Sequence, residues 1–265
     1  MYDEIHRFRS RLDGQETLLG VGITLTDPAV TEALAASVDF LWIDTEHTHL
    51  SYESVLAHLI AARSCGKPAL VRVPTSDVGR IKPLLDIGAD GIIVPQVRSA
   101  EEVRQVVAAC RYPPLGTRGF GPRRAAGYGR TAGDAEYFAH ANASVYVAVQ
   151  IENRDALQDL DAIVAVPGLD SIALGPYDLS IALGYPGEIM HPEVRPALQK
   201  IITAARNAGK HVGTGLGPNT DLAQQLIRMG VQWLQCGDDY GHMIRSTDHL
   251  FSDIRATPDD AARPR

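Results

Sequence analysis

Phe40-Leu41-Trp42-Ile43-Asp44-Thr45-Glu46-His47 sets four consecutive apolar residues before a short run that carries two carboxylates and an imidazole. The apolar part does not alternate. A strand of this kind is covered on both faces, as in a parallel sheet flanked by helices. The switch to charge marks its C-terminal end, where α/β barrels place their chemistry. The same pattern recurs along the chain. Eight strands are predicted, at Leu18–Leu25, Phe40–Asp44, Ala69–Val73, Gly91–Val94, Val145–Ile151, Ser171–Leu174, His211–Gly215 and Gln232–Cys236.

Helical patterns lie between them. Asp27 followed by Pro28 is an N-cap with proline at the first helical position. Ser51 precedes Tyr52–Ser64, and Ser99 precedes Ala100–Cys110, with Glu101 and Glu102 where the helix dipole favours them. Glu193–Ala208 stops at Gly209, and Thr220–Met229 stops at Gly230. Alternating βα units imply right-handed crossovers and a parallel sheet. Eight of them predict one TIM (β/α)8 barrel over residues 1–255, with a polar tail at 256–265. An open doubly wound sheet is the alternative, weakened because no G-x-G-x-x-G follows the first strand.

Composition narrows the function. A chain of 265 residues, 45% hydrophobic, can bury one large core. The net charge of −7 and the lack of a basic stripe argue against nucleic acid. The N-terminal stretch Met1–Gln15 is charged and lacks the apolar region of a signal peptide, and no run reaches membrane-spanning length. The three cysteines, Cys65, Cys110 and Cys236, form no C-x-x-C, which suits a reducing cytoplasm rather than a disulfide framework. One segment breaks the rhythm. Arg111–Gly133 holds six glycines, three prolines and five arginines. It reads as an anion-binding loop or, nearly as well, as a surface loop or subunit contact.

Reactive side chains collect at the strand ends. Arg72 sits in an apolar strand, where an unpartnered charge is costly. Gln150 and Glu152 are two apart and share a face. Asp178 follows Gly175-Pro176-Tyr177, just beyond the next strand. Glu152 and Asp178 therefore stand on adjacent strand ends and repel unless a cation lies between them, which suits Mg²⁺, Mn²⁺ or Co²⁺. Asp86, near a helix end, could orient the His47 imidazole or be an ordinary helix-terminus residue. His49 is expected to be structural, and the remaining histidines carry no constellation.

These strand-end segments carry a family likeness. Phe40–His47, Val71–Pro74, Leu84–Pro95, Gly116–Gly119, Gln150–Glu152 and Gly175–Ser180, in this order, resemble the HpcH/HpaI aldolase family, the metal-dependent class II pyruvate aldolases that include 4-hydroxy-2-oxoheptanedioate aldolase. The likeness runs from about Leu19 to Tyr240. It implies Glu152 and Asp178 as metal ligands, Arg72 as the stabiliser of the pyruvate enolate, and His47 as the acid/base with Asp86 as its orienting partner. It implies a carboxylate role for Asp44. Gln150, Gly175, Tyr177 and Leu216 join Arg72 as substrate-binding residues. Pro176 has no N–H, so Gly175 and Tyr177 would supply backbone donors to the substrate carboxylate. Tyr177 and Gln96 depart from the family pattern and are expected to reshape the aldehyde pocket. A hexamer is expected from the resemblance.

The implied reaction is cleavage of a 4-hydroxy-2-oxo acid to pyruvate, or a close 2-oxo acid, and an aldehyde. No lysine stands at an apolar strand end to form a Schiff base; Lys67 precedes the third strand and Lys82 sits in a helical segment. A Lewis acid is the alternative means of stabilising the enolate. A citrate-lyase-like acyl-CoA lyase is the runner-up, kept open by the basic loop. A non-catalytic metabolite-binding barrel is the third reading.

Overall fold

The computed structural model describes residues 3–130 and 135–256. Eight parallel strands close in chain order: β1 Leu18–Ile23, β2 Phe40–Asp44, β3 Ala69–Arg72, β4 Gly91–Val94, β5 Tyr146–Ile151, β6 Ser171–Leu174, β7 His211–Leu216 and β8 Trp233–Asp238. β1 pairs with β8, which excludes the open sheet. The helices are α1 Asp3–Asp13, α2 Pro28–Ala35, α3 Tyr52–Ser64, α4 Val78–Asp86, α5 Ala100–Cys110, α6 Ala135–Ser144, α7 Arg154–Gln158, α8 Leu160–Val164, α9 Pro176–Leu183, α10 Val194–Asn207, α11 Thr220–Met229 and α12 Asp239–Ala256. The predicted caps at Asp27, Ser51 and Ser99 each accept a backbone N–H of the first turn. Among the described residues no helix is long and apolar enough to cross a membrane.

Four strands end elsewhere than expected, and β3 does so by one residue, stopping at Arg72 rather than Val73. β1 stops before Thr24 and Leu25 because both give their N–H to the Asp239 carboxylate, at 2.9 and 3.0 Å. β7 gains Leu216, paired with Cys236. β8 runs two residues past its expected end, to Asp238, through a bulge opposite β1. The residues from 257 to the C-terminus, most of the expected tail, lie outside the described ones.

Side chains alternate between two cores. Outward-facing residues such as Ile43, Val71, Ile92 and Val149 pack under the helices. Inward-facing Leu18, Phe40, Trp42, Leu70, Ile93, Tyr146, Ala148, Ala173 and Trp233 fill the barrel. Gly213 makes that filling possible, because a Cβ there would stand 1.9 Å from the Trp233 indole. The N-terminal charged stretch is a helix. Its Ile5, Phe8 and Leu12 recur at helical spacing and close the bottom of the barrel against this inner core. Arg9 to Asp170 at 3.0 Å and Arg11 to Asp39 at 2.8 Å fix it there.

Three of the five arginines of the basic loop are used within the fold, and Arg123 and Arg130 are exposed. Arg111 pairs with Asp170 at 3.3 Å, Arg118 with Asp86 at 3.0 Å, and Arg124 gives hydrogen bonds to the carbonyls of Leu59 and Ile87 at 2.9 and 3.2 Å. All three are buried, as structural clamps. Gly133 of this loop lies outside the described residues.

Candidate active site

A cavity of about 460 Å³ opens at the C-terminal end of the barrel. Trp42 and Asp44 of β2, Arg72 of β3, Gln150 of β5, Gly175 and Asp178 after β6, and Leu216 of β7 all reach it. So do His47 and Tyr177. All the predicted site residues but Asp86 and Glu152 line it, and Glu152 is joined to it through Gln150, whose Nε2 donates to its carboxylate. The depth is set by register: Asp44 and Arg72 are Cα partners across β2 and β3.

Arg72 is held from three sides. Nε and one terminal nitrogen donate to the two Asp44 oxygens at 2.9 and 2.7 Å, and the other terminal nitrogen lies 3.1 Å from Glu46 Oε2. Its guanidinium carbon sits 5.4 Å from the centre of the Trp42 ring. This bidentate fork fixes the plane of the group. A guanidinium has five N–H donors, so two remain for a ligand. Burial works to lower the Arg72 pKa but is outweighed by Asp44 and Glu46, and the net effect is a raised value and a permanent positive charge.

Glu152 follows β5 directly and is 3% exposed. Its Oε1 accepts the Gln96 N–H at 2.7 Å, and its Oε2 accepts from Gln150 Nε2 at 3.2 Å. Gln96 donates from a left-handed backbone, φ 55°, which is uncommon for a residue with a Cβ. Its side chain is exposed and does not line the cavity, so the expected effect of Gln96 on the pocket is instead a backbone contact to Glu152. Burial, with Asp178 and Glu46 nearby, pushes the Glu152 carboxyl up to about 7. Burial likewise raises Glu46. Gln150 Oε1 is buried without a hydrogen-bond donor.

This donor set fits a hard divalent cation: two converging carboxylates, one held near neutrality by its surroundings, beside an orphaned amide oxygen. Among the described residues no three His, Cys, Asp or Glu side chains are grouped to hold a metal. Glu152 and Asp178 would therefore leave most coordination positions to water and substrate, as Mg²⁺ sites commonly do.

Two expectations need correction. Asp86 does not orient His47 within the chain. It ends α4 and is bonded to Arg118, whereas the carboxylate beside His47 is Glu46, at 3.5 Å. Gly175 is not a free donor either, since its N–H reaches Ile151 O at 3.4 Å. The open N–H groups at the start of α9 are those of Tyr177 and Asp178. His49, expected to be structural, lines the cavity mouth and is exposed.

Sequence reasoning missed the β8 side. Thr24, Leu25, Gln235, Asp238 and Tyr240 complete the wall opposite Gln150 and Asp178. Gln235 inside an apolar strand was the available signal, of the same kind that exposed Arg72 and Gln150.

The sequence and the fold have counterparts. The chain matches the HpcH/HpaI aldolase/citrate lyase family over residues 22–246. A 4-hydroxy-2-oxovalerate aldolase of Rhodococcus jostii (strain RHA1) is 40% identical over 254 residues, 94% of this chain and 96% of its own. A hydroxypyruvate/pyruvate aldolase of Pseudomonas aeruginosa is 38% identical over 247 residues, 93% of this chain and 91% of its own. The crystal structure of an HpcH/HpaI aldolase/citrate lyase family protein from Burkholderia cenocepacia J2315 superposes with a TM-score of 0.88 at 32% identity, covering 94% of this chain and 99% of that one.

Proposed function

The chain belongs to the HpcH/HpaI aldolase/citrate lyase family, and from that premise we propose how its cavity works. It is an aldolase, a carbon–carbon lyase that reversibly cleaves a 4-hydroxy-2-oxo acid to pyruvate, or a close 2-oxo acid, and an aldehyde. The observation that carries the assignment of roles is the convergence of Arg72, Gln150 and Asp178 on one strand-end cavity, with Gln150 hydrogen-bonded to the Glu152 carboxylate at its edge.

Glu152 and Asp178 would hold a divalent cation, Mg²⁺, Mn²⁺ or Co²⁺, whose chemistry when bound is Lewis-acid polarisation of the 2-oxo acid. Arg72 directs its spare N–H groups at the keto oxygen. Breaking the C3–C4 bond sends its electron pair toward that oxygen, and the fixed guanidinium gains strength as the charge grows. Asp44 is a positioning residue, since its oxygens are occupied by Arg72 and the Glu46 N–H. His47, directly or through water, removes the C4 hydroxyl proton in cleavage and returns it in synthesis. Gln150 and the N–H groups of Tyr177 and Asp178 face the pyruvyl end, where the helix dipole favours a carboxylate. Leu216 packs beside the aldehyde half.

The acyl-CoA alternative loses part of its support, because Arg118 and Arg124 of the basic loop are clamped elsewhere, while Arg123 and Arg130 stay exposed and do not line the cavity. The chain is also proposed to be a homo-oligomer, hexameric by resemblance. α12 supports this: only Asp239 of it is buried, while Met243, Ile244, Leu250, Phe251 and Ile254 are exposed. Free Cys65, Cys110 and Cys236 suit the cytoplasm.

The test is pyruvate release from 4-hydroxy-2-oxo acids, before and after EDTA and with Mg²⁺ or Mn²⁺ restored. Metal-restored release that drops on the order of 10²-fold or more in Glu152→Ala supports the assignment. Turnover untouched by chelation, or a fully active Glu152→Ala, overturns it.

A further inference from the structure

The β8 wall of the cavity has no role in the scheme above, yet its construction is specific. Strand side chains alternate between faces. Gln235 points inward, so regular alternation would turn Asp238 outward. It does not, because β8 bulges. Gly20 pairs with Gln235, but Gly22 pairs with Asp238, so β8 spends one residue more than β1 over this stretch. Gly237 takes φ 77° there. A bulge re-aims the side chain that follows it. Both Gln235 and Asp238 consequently line the cavity. Gly22 makes room for the carboxylate, because a Cβ there would stand 2.0 Å from Asp238 Oδ1.

The two side chains present acceptors. Gln235 Nε2 donates to Gly237 O at 2.7 Å and to Asp238 Oδ1 at 3.1 Å. That fixes the amide and leaves Gln235 Oε1 and Asp238 Oδ2 with no hydrogen-bond donor among the described residues. Acceptors in a cavity call for donors on the ligand. The charges agree. The acidic residues lining the cavity are Asp44, Asp178 and Asp238, and its one arginine is Arg72, already held by Asp44 and Glu46. A second carboxylate on the substrate would meet Asp238 and no free cation among the described lining residues.

Resting on the aldolase reading, we propose that Gln235 and Asp238 select the aldehyde half of the substrate, favouring a neutral aldehyde that carries hydroxyl groups over an alkyl aldehyde and over one that carries a carboxylate. A site built to hydrogen-bond a hydroxyl rejects an analogue that lacks it, because the site's own groups are left unpaired. A carboxylate facing a carboxylate supplies repulsion against the wrong substrate.

The experiment has two arms on the metal-loaded enzyme. Exchange of pyruvate methyl protons for deuterium needs no aldehyde and tests the aldolase reading itself. Aldol addition of pyruvate to glyceraldehyde, propanal and succinic semialdehyde tests the β8 wall. Wild type is expected to exchange, and to prefer glyceraldehyde over each of the others by at least about tenfold in kcat/KM. Asp238→Leu and Gln235→Leu should each collapse the glyceraldehyde-to-propanal ratio toward one. Asp238→Asn should raise the relative rate with succinic semialdehyde and guards against misfolding of the leucine variants. Exchange with no preference among the aldehydes, or ratios unmoved in Asp238→Leu and Asp238→Asn, overturns the proposal and leaves the aldolase reading standing. Absent exchange in the wild type overturns both.

Discussion

Gly175 has no space for a methyl group: a Cβ there would stand 2.0 Å from Glu152 Oε2 and 2.5 Å from Glu152 Cβ. Neither atom belongs to a freely moving chain end, because the Glu152 carboxylate is pinned by Gln96 N and Gln150 Nε2. Gly175→Ala must therefore push Glu152 out of line with Asp178. A displacement of about 1 Å in a positioning group can cost on the order of 10²-fold. Steady-state pyruvate release should fall by about that factor, with weaker metal binding by titration. An alanine variant that keeps wild-type kinetics and metal affinity would show that the close approach is not needed. At this scale the sequence exposes residues whose chemistry clashes with their setting. Arg72, Gln150 and Glu152 are polar within or at the end of apolar strands, and they can be found without a structure. Asp238 cannot, because an added residue in the ladder is invisible to a period-two reading. The tie between Asp86 and Arg118 is equally hidden, being a contact across 32 positions.

α1 shows what an element contributes away from the chemistry. Phe8 is 2% exposed and meets Phe40, Tyr146 and Trp233 edge-on, with ring centres 5.4, 5.5 and 6.5 Å apart. These are aromatic contacts at the bottom of the barrel, with the reactive cavity at the top. Phe8→Ala removes the ring and leaves a hole between elements that cannot close over it. Such truncations cost about 3–5 kcal/mol. Denaturant unfolding should show that loss, while kcat/KM of the folded fraction stays near wild type. A loss under about 1 kcal/mol would mean that α1 is not a plug. Elements of this kind were only partly legible. The strands of the barrel announce themselves as apolar runs, and α3, α5, α10 and α11 through caps and terminal glycines. α1 hides its apolar stripe of Ile5, Phe8 and Leu12 among six charged residues. α12 has an apolar face that nothing among the described residues covers, so burial periodicity gives no direction for it.

The whole molecule's response to pH sets two histidines, buried where charge is unwelcome, against two buried carboxyls. His58 is 0% exposed, between Thr31 Oγ1 at 2.8 Å and Leu25 O at 2.9 Å, and burial lowers its pKa. His211 lies between the Tyr146 hydroxyl at 3.0 Å and Asp13 at 2.9 Å, and burial lowers it too, outweighing the Asp13 carboxylate. A free histidine titrates near 6.5. Below that value the unfolded chain takes up protons that the folded chain refuses, so stability must fall as pH falls. At pH 6 the loss is at most about 0.8 kcal/mol for each histidine that stays neutral in the fold. Asp90 acts in the opposite sense. Desolvation pushes its carboxyl up to about 6, so its cost is present above that pH and is relieved as pH drops toward 3.8. Glu152, pushed up to about 7 by burial, acts in the same sense as Asp90, so between pH 8 and 6 the two carboxyls offset the histidines. His211→Gln retains a hydrogen-bonding side chain but cannot titrate, and it leaves His58, Asp90 and Glu152 in place. Urea unfolding at fixed protein concentration should therefore show the variant losing less, or gaining more, than wild type from pH 8 to pH 6, by up to about 0.8 kcal/mol. An identical change from pH 8 to 6 in wild type and His211→Gln would mean that the folded protein accepts this proton, with Asp13 stabilising a charged His211 despite its burial.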